Sequence, residues 1–332
     1  MKKIIFICLI LLHSAVWAME SVEQGIRLFN QKEYQQAQQI FQQQSDAGSA
    51  YATFWLGVTQ YKKRQHFEAG DTFLKAAEMG DPWAMAVLAG SALNLNSPCN
   101  YLGWPCDEKW KDEAFSGWKK QADEGNGKAI LALRVKKSYF WELIPFYRSY
   151  NSEKIFFDAF QKGSNHAILK MGGWVTEAKY TDYLKLAANQ GYAPAMVSLY
   201  YTELYDGDAE GALKWINTAI QLGYPTAARV LFLAYDLGKK DKQGNQVIRP
   251  NPQEAYYYNK LSGALGGEEE TSSIVSTRLI KDGSPVSDEN GEPVFEILVT
   301  EQEQAEMDKQ VAEFVKDIKP NLFLDETSIN LF

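Results

Sequence analysis

Between residues 21 and 267 the chain is built on one repeated phrase. Six glycines, Gly48, Gly80, Gly125, Gly163, Gly191 and Gly223, are each followed four residues later by alanine, at Ala52, Ala84, Ala129, Ala167, Ala195 and Ala227. Four residues further on stands a large apolar residue: Leu56, Leu88, Leu133, Met171, Leu199 and Leu231. Another alanine often precedes the glycine by eleven residues, at Ala37, Ala69, Ala114 and Ala212, and a seventh partial copy pairs Ala255 with Gly266. The glycines are spaced by 32, 45, 38, 28 and 32 residues. Self-similarity at this period marks an array of two-helix units, with loop insertions in two of them.

The residue types say how each unit is made. The glycine closes an apolar helical run such as Phe73, Ala76 and Ala77, or Leu184, Ala187 and Ala188. A glycine past a helix end takes positive φ without a Cβ penalty and so ends the helix cleanly. The alanine and the larger residue after it fall one and two turns into the next helix, on one face. Alanine lets neighbouring helices approach closely, and the larger side chain fills the space beside it.

These residues resemble the Sel1-like repeat, a relative of the tetratricopeptide repeat. Phe73 to Gly80, Tyr183 to Gly191 and Trp215 to Gly223 follow the first half of its consensus. Trp55, Leu56 and Gly57, with Tyr61 after them, follow the second half. The resemblance implies an all-α fold, a right-handed α/α superhelix of six to seven helix pairs over residues 19–267. It also implies a scaffold that binds another protein, the partner differing from member to member.

Ahead of the array, Lys2 and Lys3 precede an apolar run from Ile4 to Leu12, and Val16-Trp17-Ala18 offers a small-residue exit. This reads as a secretory signal peptide cleaved after Ala18 and hence a periplasmic protein, with an uncleaved anchor as the alternative. The apolar run is short for a membrane span, and no later run approaches 20 apolar residues. Cleavage leaves 32 basic against 42 acidic residues. That balance argues against general nucleic-acid or anionic-membrane binding.

The two cysteines beyond the leader, Cys99 and Cys106, lie in a Pro- and Gly-containing insertion between repeats. In an exported chain they are expected to form a disulfide. Two thiolates without further ligands do not make a metal site, and neither His66 nor His166 belongs to a ligand cluster. No metal or cofactor is expected.

The middle of the chain departs most from the phrase. Nine aromatics fall between Tyr139 and Phe160, and Ser152 replaces the usual alanine. Pro145 is expected to interrupt the helix. Phe156 and Phe160 read as core. Two readings stand for Phe146, Tyr147, Arg148 and Tyr150: internal packing, or a loop edge that contacts a partner, since aromatics and arginine anchor interfaces. Of Tyr256, Tyr257 and Tyr258, not all can face the core, and Tyr257 is taken as a further contact. The Lys239–Pro252 excursion carries a Gly-Asn turn and a short basic run, and Asp206 to Glu210 reads as a tight turn.

Beyond residue 267 the phrase fades into a turn-rich region and a closing helix, so 268–332 is expected to cap the array. Thr300 and Glu303 form a capping-box pattern, and Met307, Val311, Phe314 and Ile318 make an apolar stripe stopped by Pro320. The last twelve residues are expected to dock or fray.

Little here suggests catalysis. Ser116-Gly-Trp-Lys119 matches S-x-x-K, but no S-D-N or K-T-G motif completes a β-lactam site, and no G-x-S-x-G elbow or phosphate loop occurs. Cysteine-rich Sel1-like relatives linked to β-lactams carry a cysteine pair in nearly every repeat, unlike this chain. The resemblance implies two roles for an exported, non-enzymatic member. One is an immunity protein neutralising a secreted phospholipase effector of type VI secretion; the other is an envelope assembly or regulatory adaptor.

Overall fold

The computed structural model describes residues 22–270, 274–319 and 321–332. The leader at 1–18 and Pro320 lie outside them. The described chain forms two compact units. Unit 1 takes residues up to Tyr180 together with the segment after 319, and unit 2 takes Thr181–Lys319.

In unit 1, α1 covers 22–30, followed by α2 (Tyr34–Asp46), α3 (Ala50–Lys62), α4 (His66–Glu78), α5 (Pro82–Leu88), α6 (Lys109–Asp123), α7 (Gly127–Lys136), α8 (Pro145–Gln161) and α9 (His166–Leu169). Helix α10 (Glu177–Asn189) contains the boundary. Unit 2 continues with α11 (Ala193–Asp206), α12 (Ala209–Gln221), α13 (Pro225–Leu237), α14 (Pro252–Ala264) and α15 (Glu301–Val315). Within each unit successive helices pack on one another, as the expected all-α array of stacked helix pairs requires.

The repeated phrase has one structural meaning at every copy. Each of the six glycines has φ between 79° and 94°. The residue after it donates its N–H to the carbonyl five positions back, as in Ser49 to Gln44, Asp81 to Ala76 and Tyr224 to Ala219. This is the left-handed helix closure that satisfies the last carbonyls of the first helix. All six alanines after the turn are fully buried, as are Ala37, Ala69, Ala114, Ala212 and the substituting Ser152. The small side chains lie where helices cross, and Gly127 marks the tightest crossing. A Cβ there would stand 2.1 Å from the Ala159 carbonyl oxygen.

Insertions behave as their spacing predicts, with one difference. Cys99 and Cys106 are bonded, and the loop they close is anchored by its own Trp104, which is buried and whose Nε1 donates to the His66 carbonyl at 2.7 Å. The 239–252 excursion is a hairpin of β1 (Lys239–Lys240) and β2 (Gln246–Ile248). Its Lys242 is drawn back to Asp206 at 2.6 Å, so this cation of the basic run is engaged within unit 2. A small β region follows, β3 (Ser276–Arg278) pairing with β6 (Phe295–Ile297) around the hairpin β4 (Ile280–Lys281) and β5 (Ser284–Pro285). Helix α15 begins with the Thr300–Glu303 capping box and lays Val311 against unit 2's final repeat, beside α14. The difference concerns residues 321–332. They neither fray nor join this cap; they return to unit 1.

Candidate binding surfaces

Two surfaces of unit 1 carry unusual side chains. The first is on α8. Pro145 does not interrupt a helix; it occupies the first turn of one, where its missing N–H is harmless. Phe146, Tyr147, Arg148 and Tyr150 therefore lie on the opening turns of a 17-residue helix and not on a loop edge. Helical geometry explains their exposure. Ser152, Phe156, Ala159 and Phe160 form the buried stripe on the second half of α8, while the first turns extend past it. Phe146 is 94% exposed, Tyr147 and Tyr150 are about half exposed, and Phe140, Leu143 and Ile144 just before them are also open. Arg148 is ordered from below, its guanidinium 5.6 Å from the Trp174 ring.

Two further aromatics of this stretch, Trp141 and Phe156, join Trp174 around a residue that periodicity does not single out. Arg134, on α7, is buried, with the rings of Trp141 and Trp174 each 5.1 Å from its guanidinium and Phe156 at 5.6 Å. It also donates to Glu142 at 3.1 Å and to Ser152 Oγ at 2.8 Å. Ser152, standing in place of the repeat's alanine, gives this guanidinium an acceptor at the helix crossing. A buried cation caged by rings and paired to a carboxylate accounts for part of the aromatic excess.

The second surface is a groove filled by residues 321–332. It is lined by one position of the repeat, three residues after the glycine: Tyr51, Trp83, Lys128 and His166. Phe332 packs its ring against Trp83 and Trp118, with centroids 5.8 and 5.6 Å apart. Ile329 and Leu331 enter the apolar core of unit 1. Glu326 is 2% exposed and accepts from Lys128 Nζ at 3.0 Å and from the Tyr51 hydroxyl at 3.1 Å. Asn30, at the end of α1, accepts from the N–H groups of Phe323 (3.0 Å) and Leu324 (2.6 Å) and donates to the Leu324 carbonyl (3.1 Å).

Electrostatics in the groove are those of a buried carboxylate paired with a half-buried lysine, with a second acid behind it. Burial would lower the Lys128 ammonium, but the Glu326 carboxylate, with Tyr51 and Asp325 nearby, outweighs it and holds the pKa above the ordinary value. Burial pushes Glu326 up, and Lys128 pulls it part of the way back. Asp81 caps α5 by accepting the Ala84 N–H at 2.8 Å. Its carboxyl is pushed up to about 8, chiefly by burial and further by Glu326, against the pull of the backbone donors. His166 is lowered by burial and by Lys170, with Asp325 opposing.

Of the other expected site residues, Tyr257 belongs to unit 2, half-buried and edge-on to Tyr258 at 5.2 Å. Tyr256 is buried and Tyr258 stacks on Tyr235, so none of the three tyrosines stands fully free. Ser116 is exposed and Lys119 pairs with Asp123 at 2.7 Å, an ordinary helix-surface ion pair. Among the described residues no cluster of three or more His, Cys, Asp or Glu could hold a metal ion, and no helix is long and apolar enough to cross a membrane.

No family model matches the chain, and no curated protein matches it. Solved structures do. The crystal structure of a Sel1 repeat protein from Oxalobacter formigenes aligns at 22% identity over 73% of this chain and 98% of that one, with a TM-score of 0.40. The crystal structure of c5321, a protective antigen present in uropathogenic Escherichia coli strains and displaying an SLR fold, aligns at 13% identity over 86% of this chain, with a TM-score of 0.39. The chain spans 57% of that second protein. Within each unit the described residues form an all-α array of stacked helix pairs.

Proposed function

We propose that the protein is a non-enzymatic scaffold, exported to the periplasm, that binds another protein through the opening turns of α8. The carrying observation is the run of open apolar side chains from Phe140 to Tyr150, with Phe146 almost fully exposed and Arg148 held ready on Trp174. Scattered single apolar residues on a surface need no explanation, whereas a contiguous run rimmed by polar groups marks an interaction site. Rigid aromatics with an ordered arginine are the residue types that dominate interface energetics. The leader-like sequence at 1–18 and the disulfide support an extracytoplasmic setting.

Within that class the specific reading is an immunity protein that neutralises a secreted phospholipase effector. The second reading is an envelope adaptor. Affinity capture of the tagged, exported protein from its native cells under non-reducing conditions separates them. One stoichiometric secreted lipase, lost when Phe146→Ala and Tyr150→Ala are combined, supports immunity; a set of resident envelope proteins lost in the same variant supports the adaptor. A partner that ignores the double variant while the fold is intact removes α8 from the interface.

A further inference from the structure

We infer that the groove of unit 1 is a peptide-binding site, that residues 321–332 are its resident ligand, and that it takes a segment of the same chemistry offered by another polypeptide. That chemistry is a short extended apolar stretch leading into a turn, a carboxylate at the turn three residues after its first aromatic, and a Leu-Phe pair beyond. This site is separate from the α8 face, and neither proposal needs the other.

Three observations carry it. First, the groove grips backbone as well as side chains. Asn30 pairs with two N–H groups and one carbonyl of Phe323 and Leu324, the way a side-chain amide holds an incoming extended chain of any sequence.

Second, specificity comes from three subsites, the first shared by two repeats. Lys128 and Tyr51 take the carboxylate of Glu326, Trp83 and Trp118 take the ring of Phe332, and the apolar core receives Ile329 and Leu331 between them. A buried carboxylate is tolerated only where a cation and a hydroxyl meet it, so these groups reject a segment lacking the acid.

Third, the recognising side chains are outside the folding phrase. The repeat needs its glycine and its alanine, and both recur in every copy, while the residue just before the alanine is Tyr, Trp, Lys and His in turn. Variation at one fixed position along a regular array is how a solenoid encodes a ligand's sequence without altering its scaffold.

The test uses the full chain and a fluorescein-labelled synthetic peptide of residues 321–332. Wild-type protein, its groove filled, should bind the peptide weakly. The Glu326→Ala, Phe332→Ala double variant, with its own segment loosened, should bind at least about tenfold more tightly, one peptide per chain. Adding Lys128→Ala should lose about tenfold again, and a peptide with glutamine in place of Glu326 should lose a similar factor. A double variant with native helical circular dichroism that takes up no peptide overturns the proposal. If the double variant does not fold, hydrogen exchange of the wild type decides. Amides of Phe323 and Leu324 exchanging well before those of α3 to α6 support a separable ligand; exchange only through global unfolding makes the segment core and refutes it.

Discussion

The same phrase is written in both units, but its variable letters differ. In unit 1 the residue after the glycine is a polar capping residue in three copies. Ser49, Asp81 and Asn126 each accept a backbone N–H from the first turn of the following helix. The residue two places further on is Tyr51, Trp83, Lys128 or His166, and it faces residues 321–332. In unit 2 the two corresponding turns carry Tyr192 and Tyr224 followed by a proline in the first turn, with no side-chain cap. The equivalent of the groove position is Pro194 or the exposed Thr226. The backbone closure is identical in both. What differs is what the loop-side face can hold, which teaches that glycine and alanine specify the stack while the positions between them specify what it binds.

The sharpest way to break this comparison is to change the same repeat position in each unit. Trp83→Ala removes a fully buried indole and one wall of the Phe332 pocket, and should cost about 3–5 kcal/mol in urea unfolding. Thr226→Ala, at the equivalent exposed position of unit 2, should change stability by less than about 0.5 kcal/mol. Comparable losses at both would mean that the position is structural throughout.

Next in size is the ion pair. Lys128→Met leaves Glu326 buried without its cation, so a loss of about 3 kcal/mol is expected. Protease sensitivity of residues 321–332 should rise with it. Coupling the change to Glu326→Leu should restore most of the stability, because a matched apolar pair carries no unmet charge. If the single variant is silent, Lys128 does not read the segment.

Asp81 gives an effect that appears only as pH is varied, with a definite sign. Its folded pKa, about 8, lies above the unfolded value near 3.8, so between these limits the native state holds a proton that the unfolded chain has released. Stability must therefore fall as pH rises through this window and level off above it. A full proton's difference between the two states changes stability by about 1.4 kcal/mol for every pH unit crossed, so a decline of up to about 4 kcal/mol between about pH 5 and 8.5 should be measurable by denaturant titration. Asp81→Asn, which keeps a capping oxygen, should flatten the profile. A wild-type curve that rises over this range would contradict the assignment. Smallest of all, Phe146→Ala with Tyr150→Ala should move stability by no more than about 0.5 kcal/mol, since neither ring is buried. A large loss would place these residues in the core.

The stack is legible in the chain because a phrase of small residues at a fixed interval has few physical meanings, and each buried alanine fulfils the expected one. The α8 surface is half legible. Its aromatic excess is visible in the sequence, but Pro145 suits a helix break and a helix start equally well by its chemistry, and the structure takes the start. Arg134 escapes notice because a lone arginine among apolar residues carries no periodic mark until its rings arrive from Trp141, Phe156 and Trp174. The groove escapes for a different reason. Asn30 and Leu324 are brought together by tertiary folding, and no local pattern announces a contact over 294 residues. One signal is present: the residues before the first four repeat alanines are Tyr, Trp, Lys and His in succession, too rich in recognition chemistry for a solvent face.

The return of residues 321–332 to unit 1 also imposes an order of events during synthesis. A solenoid can ordinarily condense repeat by repeat as the chain emerges, because its contacts are local. Here the first repeats are complete by residue 136, yet the ring that covers Trp83 and Trp118 is residue 332. Wherever the repeats condense, on either side of a membrane, the slot and its lysine are therefore complete in sequence 196 residues before the ring that fills them, and the last segment to arrive is the one that closes unit 1.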